Sequence, residues 1–113
     1  MRNIPSEIAE GVLNWLTHAP NANTVATKAA AATENVRHVL QKVWCSYDAD
    51  PTGGSLTVAG TVGGSAVSLV LSLPAKGAYE FEIPLVCDEN KALTVTLASA
   101  GEGVTGKIAF CYR

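Results

Sequence analysis

Residues 79–87 read Tyr-Glu-Phe-Glu-Ile-Pro-Leu-Val-Cys, with Tyr79, Phe81, Ile83, Leu85 and Cys87 on one side and Glu80, Glu82 and Pro84 on the other. Side chains alternate across a strand, so a period of two means one buried face and one wetted face. Segments of this kind follow one another from residue 36 to 112, cut by glycine turns. Leu56, Val58 and Val62 stand against Thr57 and Thr61. Val67, Leu69, Leu71 and Leu73 stand against Ser68 and Ser72, and Leu93, Val95 and Leu97 against Thr94 and Thr96. Val104, Ile108, Phe110 and Tyr112 share the last phase, and Gly63-Gly64 is a two-residue hairpin signal. The spacing predicts an all-β chain, an antiparallel β-sandwich of jelly-roll-like type. Pro84 cannot donate to a ladder, so its strand is expected at an edge or at a bulge.

Three segments depart from this rhythm. In residues 36–47, Val39, Val43, Cys45 and Tyr47 share one phase and Leu40 and Trp44 the other. Both faces are then partly apolar, as in a strand inside a tight sandwich or beside another subunit. Residues 6–18 are expected to form a short N-terminal α-helix: Ser6 can cap it, Glu7 and Glu10 suit its first turns, and Pro20 follows its end. Its apolar stripe of Ile8, Val12, Trp15 and Leu16 must dock, on its own sandwich or on a neighbouring subunit. Residues 20–35 are ambiguous. Lys28-Ala29-Ala30-Ala31-Ala32 has high helix propensity but no stripe of large residues, so an extended segment along the sandwich edge is expected. At 113 residues the chain is the size of one domain, divided into a helix and linker (residues 1–22) and the β-sandwich (residues 23–113).

Charged residues make up 16% of the chain, which is low and leaves a weakly polar surface of the kind a partner often covers. The eight Lys and Arg are scattered, which argues against direct nucleic-acid binding. No stretch approaches the ~20 apolar residues that cross a bilayer, and the N-terminus lacks a signal-peptide core, so no membrane association is expected. Cys87 falls in phase with Phe81 and Leu85 as core filler, whereas Cys111 is out of phase with Ile108 and Phe110 and is expected to be an exposed thiol. A disulfide is not expected from a cytosolic origin. His18 at a helix end and His38 beside Leu40 read as structural. Asp48 and Asp50 lack further ligands at Thr52 and Ala59 and read as turn residues rather than a calcium loop. Glu80 and Glu82 share one face and read as strand solvation rather than a glycosidase pair. No catalytic residue, cofactor or metal is expected, and the chain is not expected to be an enzyme.

Residues 23–112 resemble a group of small tailed-bacteriophage virion proteins. Three features carry the resemblance: Ala26-Thr27-Lys28-Ala29-Ala30-Ala31-Ala32 followed by Val36-Arg37-His38-Val39-Leu40, the strand from Tyr79 to Leu85 before an exposed turn, and the close from Leu97 through Gly101-Glu102-Gly103-Val104 to Ile108. The resemblance implies a capsid decoration (cement) protein, commonly a homotrimer, that binds the major capsid protein on the virion after assembly in the host cytoplasm. Residues 6–18 and the loop 50–54 depart from the short members of that group. Candidate subunit or capsid contacts are Trp15, Leu16, Leu40 and Trp44. The alternative is a fibre- or tail-associated binding module that recognises a host receptor or glycan.

Overall fold

The computed structural model describes residues 14–113. These form β1 (Asn14–His18), β2 (Ala26–Ala30), β3 (Arg37–Tyr47), β4 (Ser55–Val62), β5 (Ser65–Ser72), β6 (Gly77–Glu89), β7 (Leu93–Leu97) and β8 (Gly106–Tyr112). All pair antiparallel in two four-stranded sheets, ordered β1-β8-β3-β6 and β2-β7-β4-β5. The first strand lies beside the last and the two orders interleave, which is the double Greek-key connectivity of a jelly roll. The inner faces meet in one core, whose largest fully buried side chains include Phe110, Leu40, Leu56, Leu73, Leu93 and Leu97.

The helix expected over residues 6–18 is corrected where the structure describes it. Residues 6–13 lie outside the described residues, and Asn14–His18 is a strand at one edge of the first sheet. Trp15, Thr17 and His18 are poor helix formers, and β8 would otherwise present an unpaired edge. In strand geometry the two apolar neighbours separate: Leu16 opposes Phe110 and packs against the core, while Trp15 opposes Cys111 and faces outward. His18 does not close a helix; its Nδ1 accepts the Thr27 N–H at 3.0 Å and ties β1 to β2 across the sandwich flank.

The expected extended edge is β2, at the border of the second sheet. Ala26 and Ala30 are buried opposite Leu97 and Leu93, so burial against β7 overrides alanine's helix propensity. Gly63 and Gly64 form the expected hairpin turn with φ of 60° and 82°, the left-handed pair that fits strand twist. The Asp88 carboxylate pins that turn, accepting the Gly63 N–H at 2.9 Å and the Gly64 N–H at 2.7 Å. Pro84 satisfies both expectations: β6 is an edge strand, and its pairing with β3 shifts register beside Pro84, between Leu40/Leu85 and Lys42/Glu82. Asp48 and Asp50 accept the Thr105 and Lys76 N–H groups, so both acids work in turns as read.

The two faces of β3 need a correction. His38 and Leu40 face the core, and so do Val43, Cys45 and Tyr47. Register shifts between Leu40 and Lys42, against both β6 and β8, reverse the phase within the strand. Leu40 and Trp44 therefore do not share a face, and only Trp44 points outward. His38 is 6% exposed; its Nε2–H donates to the Ala31 carbonyl at 2.8 Å and its ring meets Tyr112 edge-on.

The two flanks of the sandwich differ. On the β1/β2 flank, Leu16, Ala26 and Ala30 close the core. On the β5/β6 flank, inward-facing Leu69 stays 44% exposed, and Val67, Phe81, Ile83 and Leu85 are only half-buried. A groove of about 150 Å³ opens there between the sheet edges.

Candidate interaction surface

The outer face of the first sheet follows from pairing. Trp15 opposes Cys111, which opposes Lys42, which opposes Glu82; in the next row Thr17, Ala109, Trp44 and Glu80 stand abreast. Trp15 and Trp44 come from the two strands that flank β8, and their rings meet above it. The centroids are 4.9 Å apart and the planes lie at 23°, an offset stack. Small residues on β8, Ala109 and Cys111, leave room for two indoles to lie over the sheet. Trp15 remains 55% exposed and Trp44 is half-buried, so the pair offers an apolar platform to solvent.

Polar groups rim the platform. Lys42 Nζ contacts Glu80 Oε2 at 3.0 Å, and its pKa is raised, first by that hydrogen bond and then by the Glu80 charge. Both side chains face water, where such a pair adds little stability but fixes where charge sits. On the other side of Trp44, Ser46, Ala78, Lys107 and Ala109 line a shallow hollow of about 190 Å³. It exists because alanine and serine stand where neighbouring positions carry tryptophan, lysine or glutamate.

Cys111 corrects a further expectation. It lies on the outer face as its phase implied, yet it is 2% exposed. Its cross-strand neighbours on that face are Trp15 on one side and Lys42 on the other. Cys45 and Cys87 are 3% and 0% exposed in the core, and burial pushes the Cys45 thiol up to about 11 and raises Cys87 as well. All three are free thiols.

Of the four candidate contacts, the structure brings Trp15 and Trp44 together and sends Leu16 and Leu40 inward. Leu40 is fully buried within its own chain, which removes it from any outer contact. The groove on the β5/β6 flank, lined by Val58, Val67, Leu69, Ile83 and Leu85, was not singled out from sequence. Its signal was present in Ser65–Ser72, which is uncharged on both faces. Among the described residues, no group of three or more His, Cys, Asp and Glu is placed to hold a metal ion, and no helix is long and apolar enough to cross a membrane.

No family model matches the chain, and no curated protein matches it. Among solved structures, it is similar to one described as the crystal structure of PirA, with a TM-score of 0.45 and 10% identity over 89% of this chain and 93% of that one.

Proposed function

We propose that this chain is a structural virion protein, a capsid decoration subunit that binds and stabilises a phage head by contact with the major capsid protein. The observation that supports this reading is the stacked Trp15–Trp44 pair on a solvent-facing sheet, with Trp15 55% exposed. Aromatic anchors ringed by polar groups are the usual energetic centre of a protein–protein contact. A sandwich supplies a rigid backing for such an anchor, because its sheet faces are held from behind by a packed core. The homotrimer implied by the resemblance belongs to the same proposal. Co-sedimentation of the purified protein with phage heads tests the reading. Binding is expected for the wild type and a loss of about tenfold or more for Trp15→Ala, the scale of one hot-spot truncation. Equal binding by both proteins, or no binding to any head, overturns it.

One feature favours a second reading, a receptor- or glycan-binding module of a fibre or tail. The hollow beside Trp44 combines an indole edge with Ser46 and Lys107. Binding of the isolated protein to host cells, blocked by a soluble glycan and lost in Trp44→Ala, would select this reading over the first.

A further inference from the structure

We infer that β5 is a pairing edge for a second copy of this chain, which joins the two second sheets into one across a two-fold axis. The four edges of the sandwich are not alike. β1 and β2 are five residues each, and β2 carries Lys28 in the inward phase of Ala26 and Ala30. β6 carries Pro84, two register shifts against β3, and Glu80 and Glu82. Short length, inward lysine, proline, irregular register and acidic side chains are the devices that keep an edge from recruiting another strand. β5 has none of them. Ser65-Ala66-Val67-Ser68-Leu69-Val70-Leu71-Ser72 is eight residues long, uncharged, free of proline and glycine, and in unbroken register with β4. Among the described residues no strand lies beside its second backbone edge, since β5 ends the order β2-β7-β4-β5.

The occupant must be an extended, uncharged strand with apolar residues at alternate positions, and β5 itself meets that description. Antiparallel pairing centred on Leu69 sets Leu69 against its own copy and Val67 against Leu71 on the inner face. On the outer face it sets Ser68 against Val70 and Ala66 against Ser72. No charge is opposed anywhere, and inner residues meet inner residues, as the pleat demands. Self-pairing of β6 would instead bring carboxylates together, which costs stability. The pairing also explains the open flank. Leu69, 44% exposed at the groove, and Val70, 59% exposed outside it, are the apolar positions that a partner strand would cover. Eight residues at ~3.4 Å give an edge of roughly 27 Å, and a sheet separation of ~10 Å gives a face of a few hundred Å² per copy. That lies below the ~800 Å² per partner of a standard interface, so the pair forms and dissolves with concentration.

This contact is two-fold and uses the second sheet, so it stands apart from both the threefold assembly and the Trp15–Trp44 face of the proposed function. Sedimentation equilibrium should show the mass rising about twofold or more above its low-concentration value, whether that is one chain or three, between about 10 μM and 1 mM, because the interface is small. Leu69→Lys should hold the protein at its low-concentration mass throughout, with an unchanged circular dichroism spectrum. If Leu69→Lys unfolds, Val70→Lys carries the test, since Val70 faces outward and leaves the core alone. Leu69→Cys fixes the register: the native thiols are buried, so mild oxidation should give a disulfide-linked pair, and Ser65→Cys should give none. A mass that stays at its low-concentration value up to 1 mM, or a rise that survives the lysine variants, overturns the inference. None of these outcomes touches head binding through Trp15, which is read separately.

Discussion

Replacing Trp15 with alanine tests whether the indole pair is what buries Cys111. Trp15 is 55% exposed, so 45% of its surface is covered. For an indole side chain of roughly 250 Å² that is roughly 110 Å², or about 3 kcal/mol at ~25 cal/mol per Å². A compact unfolded chain already hides part of this area and lowers the figure to about 2 kcal/mol. Loss of the stack on Trp44 adds about 0.5–1.5 kcal/mol. Trp15→Ala should therefore lose about 2.5–3.5 kcal/mol, read as a fall of about 10–15 °C in Tm for a chain of this size. Stability alone does not locate the effect; thiol chemistry does. Cys45, Cys87 and Cys111 are 3%, 0% and 2% exposed, so none should react with an aromatic disulfide reagent in native buffer. In Trp15→Ala one thiol should react, and Cys111→Ser in the same background should abolish that reaction. Trp15→Phe should restore most of the protection. If Tm falls while every thiol stays silent, something other than the indole covers Cys111 and the reasoning fails. Reaction of all three thiols would report general opening and would equally refute a local lid.

Further outcomes follow from the core and its turns. Phe110 is fully buried between the sheets, so Phe110→Ala should cost about 3–5 kcal/mol, measured by urea unfolding; a loss under 1 kcal/mol would mean that the core collapses onto the space. A Cβ on Gly54 would sit 2.8 Å from the Leu73 carbonyl oxygen, a backbone atom that cannot swing away, and 2.9 Å from Tyr47. Gly54→Ala should therefore reach the upper part of the ~1–3 kcal/mol range for overpacking, and a neutral result in thermal melts would show that the loop yields. Hydrogen bonds from the Gly64 and Gly63 N–H groups lower the pKa of Asp88. A folded pKa below the unfolded one adds stability above the unfolded value and loses it as pH falls through the folded value. Wild type should thus lose stability below about pH 4 relative to Asp88→Asn, and parallel pH profiles of the urea midpoint would refute the clamp.

Much of the fold was legible because burial on one side of a strand writes itself into alternate residues. Tyr79, Phe81, Ile83, Leu85 and Cys87 all face inward on β6, and Pro84 announced its edge. Two features escaped. The phase of β3 reverses where Gln41 and Lys42 stand together between Leu40 and Val43; two adjacent polar residues in an apolar strand were the available sign of the irregularity. Residues 14–18 were read by a helical spacing that began in residues 6–13, and Asn-Trp-Leu-Thr-His, with Trp15 and Leu16 adjacent, carries no clear period of its own. A five-residue window supports either period, and the choice depends on whether another strand offers a ladder.

By itself, then, the sequence determined the class: short alternating segments, glycine turns at Gly63 and Gly64, and one apolar face per strand bury that face by stacking sheets or by closing a small barrel. Tertiary structure decided which surfaces remain. Whether Trp15 and Trp44 meet depends on β1 and β3 flanking β8, a neighbourhood created by residues about a hundred positions apart closing one sheet. Whether Cys111 is exposed depends on Trp15 and Lys42, which stand opposite it on the two neighbouring strands. Periodicity reports the face on which a side chain lies, because that is local geometry; it is silent on the neighbours across the ladder, because they are set by strand order.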